Sequence, residues 1–150
     1  VITDFQRQSI LDAVCFSPLS GSALRRLAME KLSELLDYGW SGVYRLEDNE
    51  LILDQYVGEA TDHIRIPVGR GVCGTAVAED KNQVVDDVRE LDNYLACSLK
   101  TRSEIVVLIR SADGNVLGQI DIDGHRVKAF DASDESLLEA LAIHLARRWS

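Results

Sequence analysis

The chain has 150 residues, 46% of them apolar and 27% charged, which suits a single globular domain with its own core. Asp and Glu outnumber Lys and Arg by 25 to 16, and a net charge of −9 repels phosphate backbones, so nucleic acid is not an expected partner. The apolar runs are too short to span a bilayer, which removes the membrane as well. Three cysteines, Cys15, Cys73 and Cys97, are too few for a disulfide scaffold and point to reduced thiols in a cytoplasmic setting. No secretory signal is legible, although a start at Val1 leaves room for a trimmed N-terminus.

In chain order, residues 4–15 read as a short helix carrying Phe5, Ile10, Leu11 and Val14. A second helix over 22–36 places Leu24, Leu27, Ala28, Leu32, Leu35 and Leu36 on one stripe, with Ser20 or Ser22 as cap and Gly39 as stop. The period then changes to strands. WSGVYRL (40–46) and ELILDQYV (50–57) form a hairpin across Glu47–Asn49, and Ile64–Val68 is extended, with Pro67 keeping it out of a sheet centre. GRGVCGTAVAED (69–80) is a glycine-rich turn opening a helix, followed by a short strand at Gln83–Val85. Residues 86–103 read as an irregular loop with a helical turn around Tyr94–Ser98. EIVVLIR (104–110) and VLGQIDID (116–123) make a second hairpin, and a helix over 133–148 closes the chain with Leu137, Leu138, Leu141, Ile143 and Leu145 as its stripe.

Helices at both ends around hairpin-joined strands predict an α+β fold in one domain, residues 1–150. The N-terminal helices take about 4–36, the sheet and pocket about 40–123, and the last helix about 133–148. Terminal helices cover one face of an antiparallel sheet. The irregular middle and a short helix cover the other and enclose a ligand-sized space.

Strand alternation puts Asp121 and Asp123 of IDID on one face, roughly 7 Å apart, with Ile120 and Ile122 on the other. Glu104 opens the neighbouring strand and can join that face. Three carboxyls meeting in a pocket would raise at least one pKa, supplying a proton donor and an anchor for an ammonium group; the alternative is a solvated face. Trp40 and Tyr44 share a face with Gly42 between them, either as a pocket wall with space between the rings or as a core pair. Cys73 falls in the first turn of its helix, where unpaired N–H groups favour a thiolate, and Cys97 lies in a polar loop near Lys100 and Arg102. Cys15 reads as a small buried hydrophobe. Cys73 and Cys97 are 24 residues apart, without metal-ligand spacing. A zinc site joining them to His63 and His125 is the weak alternative, and no metal is expected. The glycine-rich turn lacks the Lys-Ser/Thr of a Walker loop, so it gives no nucleotide assignment.

With WSGVYRL, RIPVGRGVCGTAVAE, LACS, SEIVV and LGQIDID in this order, the sequence resembles the GAF domain family, and within it the branch of free methionine-(R)-sulfoxide reductases. The resemblance implies a GAF fold and thiol-dependent reduction of free methionine-(R)-sulfoxide. It implies Cys97 as nucleophile, Cys73 as the second thiol, and Glu104, Asp121 and Asp123 as substrate-binding groups that assist proton transfer. Trp40 and Tyr44 would line the pocket near the methyl group. No bound cofactor is implied; the partners are a small amino-acid-like ligand and an external thiol reductant of the thioredoxin type, with homodimerisation through the helices. At the position of a third cysteine in many of the reductases this chain has His63, and Ser98 replaces an acidic neighbour of the nucleophile. The other implied reading is a non-catalytic sensor binding a small metabolite, with a Cys73–Cys97 redox switch.

Overall fold

A computed structural model describes residues 1–95 and 98–150. Two helices, α1 (Asp4–Cys15) and α2 (Gly21–Leu32), precede the hairpin β1 (Trp40–Glu47) and β2 (Glu50–Val57). The hairpin turns on Asp48 and Asn49, both left-handed at φ 50° and 62°, which is the two-residue turn whose twist matches paired strands. Then come β3 (Arg65–Pro67), α3 (Gly71–Glu79), β4 (Gln83–Val85), a 3-10 turn at Val88–Glu90, the hairpin β5 (Ser103–Arg110) and β6 (Val116–Gly124), and α4 (Ala132–Arg147).

The six strands form one antiparallel sheet in the order β3-β2-β1-β6-β5-β4, so β1, β6 and β5 are interior and Pro67 sits on an edge strand. Residues such as Val43, Ile105, Val107, Ile120 and Ile122 face α1, α2 and α4 and form the main core with Leu24, Leu137 and Leu141. The opposite face carries a smaller cluster in which Val72 and Ala76 of α3 pack with Tyr44, Val106 and Leu108. The α+β architecture is therefore as the hairpins and terminal helices predict. Among the described residues no helix is long and apolar enough to cross a membrane.

Several local expectations change. The second helix stops at Leu32, because the Ser33 hydroxyl bonds back to the Glu30 carbonyl at 2.7 Å and the chain tightens into a turn; Leu36 is left 97% exposed rather than on the stripe. Ser20 occupies the N-cap position of α2 without a side-chain cap bond. Phe5 is exposed, whereas Ile10 and Val14 are buried on α1 and Leu11 packs against the core edge. Cys15 is exposed too: it follows Val14 at the helix end, one step around from the buried face. Ile143 is half-exposed, since the inward positions of α4 are Leu137, Leu138, Leu141, Ala142 and Leu145. The helical turn expected at Tyr94–Ser98 falls partly outside the described residues. The 3-10 turn of that loop forms earlier, where the Asp87 carboxylate accepts from Arg89 N–H at 3.0 Å.

Two polar tethers hold the helical layer. Buried Arg25 donates to Asp54 at 2.7 Å and to the Trp149 carbonyl, and its guanidinium lies 4.1 Å from the centre of the Trp149 ring, tying α2 and the C-terminal residues to β2. Asp131 caps α4 reciprocally with Asp134, and buried Asp134 also accepts from the Tyr38 hydroxyl at 2.8 Å. Burial raises the Asp134 pKa, and burial followed by the Asp134 charge moves Tyr38 far above the ordinary phenol value. Tyr38→Phe is expected to cost about 1–3 kcal/mol, because Asp134 stays buried with one donor fewer. Urea unfolding at neutral pH measures it; an unchanged midpoint would mean that solvent replaces the hydroxyl.

Candidate active site

The register of three interior strands builds the site. Trp40 of β1 and Glu104 of β5 both stand opposite Asp123 of β6, and Gly42 and Val106 flank Asp121. Residues paired across an antiparallel sheet share a face, so Asp121, Asp123 and Glu104 all point away from the main core. Both aspartates are fully buried and Glu104 is 3% exposed, which excludes a solvated face. α3 closes over them. A Cβ on Gly74 would lie 2.7 Å from the Pro67 carbonyl oxygen, so only glycine lets this helix sit down on the chain before it. That seating brings buried Cys73 Sγ to 3.9 Å from Glu104 Oε2. The functional thiol candidate of α3 therefore faces carboxyls, and their charge opposes the thiolate that the helix N-terminus favours.

The electrostatics follow from burial. Desolvation first, then the neighbouring Asp121 and Asp123 charges, holds the Glu104 carboxyl well above the usual 4.5. Burial raises Asp121 as well, offset in part by Glu104 and Cys73 beside it. A carboxyl with a raised pKa beside two further buried carboxyls is a group able to serve as a general acid.

Trp40 and Tyr44 lie on the same face, both buried. Trp40 stacks on Tyr56 at 5.7 Å between ring centres and donates from Nε1 to the Glu59 carbonyl at 2.9 Å, while the Tyr44 hydroxyl donates to the His63 carbonyl at 2.9 Å. The space expected between the rings is taken by Trp40 itself: a Cβ on Gly42 would meet its ring at 2.2 Å. Gly42→Ala is therefore expected to cost about 1–3 kcal/mol by pushing the indole aside, seen as a lower melting temperature with altered near-ultraviolet dichroism. An unshifted melt would show that the ring has room to move.

Gln119 escaped the sequence reading. It is buried two residues before Asp121 on the same face, and its Nε2 donates to the Cys73 carbonyl at 3.3 Å, bracing the turn that carries the thiol. The alternation 119, 121, 123 was the available signal. In the loop before β5, Asn93 accepts from Gly71 N–H at 3.2 Å and donates to the Gly69 carbonyl at 3.1 Å, fastening this loop to the entry of α3. Ser98 donates to the Glu59 carboxylate at 3.2 Å, a bond an aspartate at this position would replace with repulsion. Cys97 itself lies outside the described residues.

Beside Cys73 and Glu104 is a cavity of about 10 Å³, also lined by Ile66, Arg70 and Leu95. That is room for one water-sized sphere, not the ligand-sized space expected, so an amino acid enters only as neighbouring side chains move apart. A larger cleft of about 380 Å³ lies between α4 and the far end of β5, where Arg110 pairs with Asp80 at 2.7 Å; among the described residues no thiol lines it. Among the described residues neither His63 nor His125 joins a cluster of metal-ligating side chains.

The model of the GAF domain family matches residues 22–149. The chain belongs to the GAF domain family. Among relatives of this GAF chain, the free methionine-R-sulfoxide reductase of Escherichia coli is 40% identical over 113 residues, covering 75% of this chain and 67% of that protein. That of Saccharomyces cerevisiae is 43% identical over 110 residues, covering 71% and 61%. The GAF fold also superposes on the free methionine-R-sulfoxide reductase from Neisseria meningitidis in complex with its substrate, with a TM-score of 0.87 at 32% identity over 99% of this chain and 92% of that one.

Proposed function

We propose that this GAF chain reduces free methionine-R-sulfoxide to methionine. The observation that carries the reading is the burial of Glu104, Asp121 and Asp123 on one sheet face with Cys73 3.9 Å from Glu104. Its identity to two reductases of that name and its superposition on a third, solved with substrate, support it.

In this reading Asp121 and Asp123 hold the substrate ammonium, and Trp40 and Tyr44 form the wall near the methyl group. Glu104 delivers its proton to the sulfoxide oxygen as the Cys97 thiolate attacks sulfur. The sulfur–sulfur bond so formed breaks as the hydroxyl passes from the methionine sulfur to Cys97, which releases methionine and leaves Cys97 as a sulfenic acid. Cys73 attacks that sulfur, water leaves, and a Cys73–Cys97 disulfide forms. A thioredoxin-type dithiol then restores both thiols, so no bound cofactor is needed.

Incubation with free methionine-R-sulfoxide and a dithiol, followed by chromatography of methionine, tests this. Sustained turnover with the R epimer and not the S epimer is expected. Calorimetric binding without methionine release would replace the enzyme by a sensor that only holds the ligand. If Asp121→Ala and Asp123→Ala bind as tightly as the unmodified chain, the pocket assignment fails.

A further inference from the structure

We propose that Gln119 is a positioning residue for the second thiol: its side chain fixes the first turn of α3 so that Cys73 can close the disulfide with Cys97. The proposal rests on the reductase reading only in casting Cys73 as that thiol. Gln119 stands on the face of β6 that carries Asp121 and Asp123, opposite Tyr44 of β1 and Leu108 of β5. It is fully buried, and its Nε2 donates to the Cys73 carbonyl at 3.3 Å. The strand that delivers two of the carboxyls therefore also grips the backbone of the thiol, whose sulfur lies 3.9 Å from Glu104 Oε2.

That grip is not needed to satisfy the carbonyl, because Cys73 lies in α3, where a carbonyl accepts from the N–H four residues on. Nor does it serve stability well. Gln119 Oε1 is buried with no hydrogen-bond partner among the described residues, a costly state that an apolar side chain of similar size avoids. What the amide supplies is restraint. Asn93 holds the Gly71 N–H and the Gly69 carbonyl, and Gly74 lies against Pro67, so these fix the ends of the turn. Gln119 fixes Cys73 itself. An error of about 1 Å in placing a reacting group costs about a hundredfold in rate, so this one bond governs how fast Cys73 reaches its partner. In the step it serves, the Cys73 sulfur attacks the sulfenic sulfur of Cys97, the S–O bond breaks, and the hydroxyl leaves as water with the Cys73 proton.

Hydrogen peroxide as oxidant makes the test independent of methionine sulfoxide. In the Cys15→Ser chain one equivalent turns the Cys97 thiol into a sulfenic acid and leaves as water. Rapid quenching and mass spectrometry follow the sulfenic acid, trapped with dimedone, and then the disulfide. Gln119→Leu removes the donor and the orphaned oxygen together. It is expected to form the sulfenic acid at the unmodified rate, to close the disulfide about ten- to a hundredfold more slowly, and to melt no lower than the unmodified chain. An unchanged rate of closure overturns the proposal. So does a lower melting temperature with both steps slowed together, which is what a purely structural glutamine would give. If Gln119→Leu does not fold, Gln119→Ile is judged by the same two rates. Absence of the disulfide in the unmodified chain also overturns it. Closure that depends on Gln119 in a chain that releases no methionine would uphold it and end the reductase reading.

Discussion

Glu104→Gln is expected to lower turnover of free methionine-R-sulfoxide by about 10²–10⁴-fold, the range that a positioned proton donor contributes. The amide keeps the shape of the carboxyl and its contacts in the pocket but has no proton to give. Its effect on stability runs the other way. Burial first, then the Asp121 and Asp123 charges, raises the folded pKa of Glu104 well above the 4.5 of an ordinary glutamate. Between 4.5 and that raised value the native state therefore binds more protons than the unfolded chain, and stability falls as pH rises. The contribution is fully present below 4.5 and is lost as pH climbs through the folded pKa. The substituted amide cannot ionise, so the variant should gain stability relative to the unmodified chain as pH rises above 4.5. Denaturant unfolding at several pH values, alongside turnover at each, separates the two effects. A variant that turns over normally would remove Glu104 from the chemistry, and parallel stability curves would mean that its carboxyl ionises as readily when folded.

Cys73→Ser is expected to reduce the yield to one methionine per chain when a thioredoxin-type protein is the only reductant. The first step, oxygen transfer to Cys97, needs no second thiol. Release of that oxygen as water does, because a protein reductant attacks a disulfide rather than a shielded sulfenic acid. A small dithiol should restore repeated turnover, since it reaches the sulfenic acid directly. In the unmodified chain the oxidised product should lose two hydrogens of mass and yield a peptide joining Cys73 to Cys97. Unimpaired turnover with the protein reductant would assign the second thiol elsewhere, and exposed Cys15 would then be the residue to substitute. Cys73 is buried with its sulfur 3.9 Å from Glu104 Oε2, so in the proposed cycle that carboxyl is placed to donate a proton as water departs.

The backbone carbonyl of His63 accepts from the Tyr44 hydroxyl. That position holds the Tyr44 ring through the main chain, which any side chain permits. Ser98 has a side-chain role instead: its bond to Glu59 links the loop after Cys97 to the residue whose carbonyl fixes the Trp40 ring.

Alternation along VLGQIDID and WSGVYRL was enough to divide the two sheet faces, since side chains in a strand have no other choice. It put Ile120 and Ile122 in the main core and Asp121 and Asp123 on the opposite face, and the hairpin turns at Asp48–Asn49 and after Arg110 made the sheet antiparallel. What periodicity could not supply was where helices end and what covers a face. The stripe of α2 ran on to Leu36 because leucine spacing carries no record of a serine hydroxyl competing for a carbonyl, and Cys15 was misplaced because one step of 100° at a helix end decides between core and solvent. Burial of the carboxyls, and the raised pKa of Glu104 that follows, came only with tertiary packing: β1 and β5 had to flank β6 in register, and Gly74 had to let α3 close over them. Sequence determines which side chains can share a face, because that is local geometry; desolvation depends on distant segments, so only the assembled fold gathers three acids and a thiol into one buried cluster.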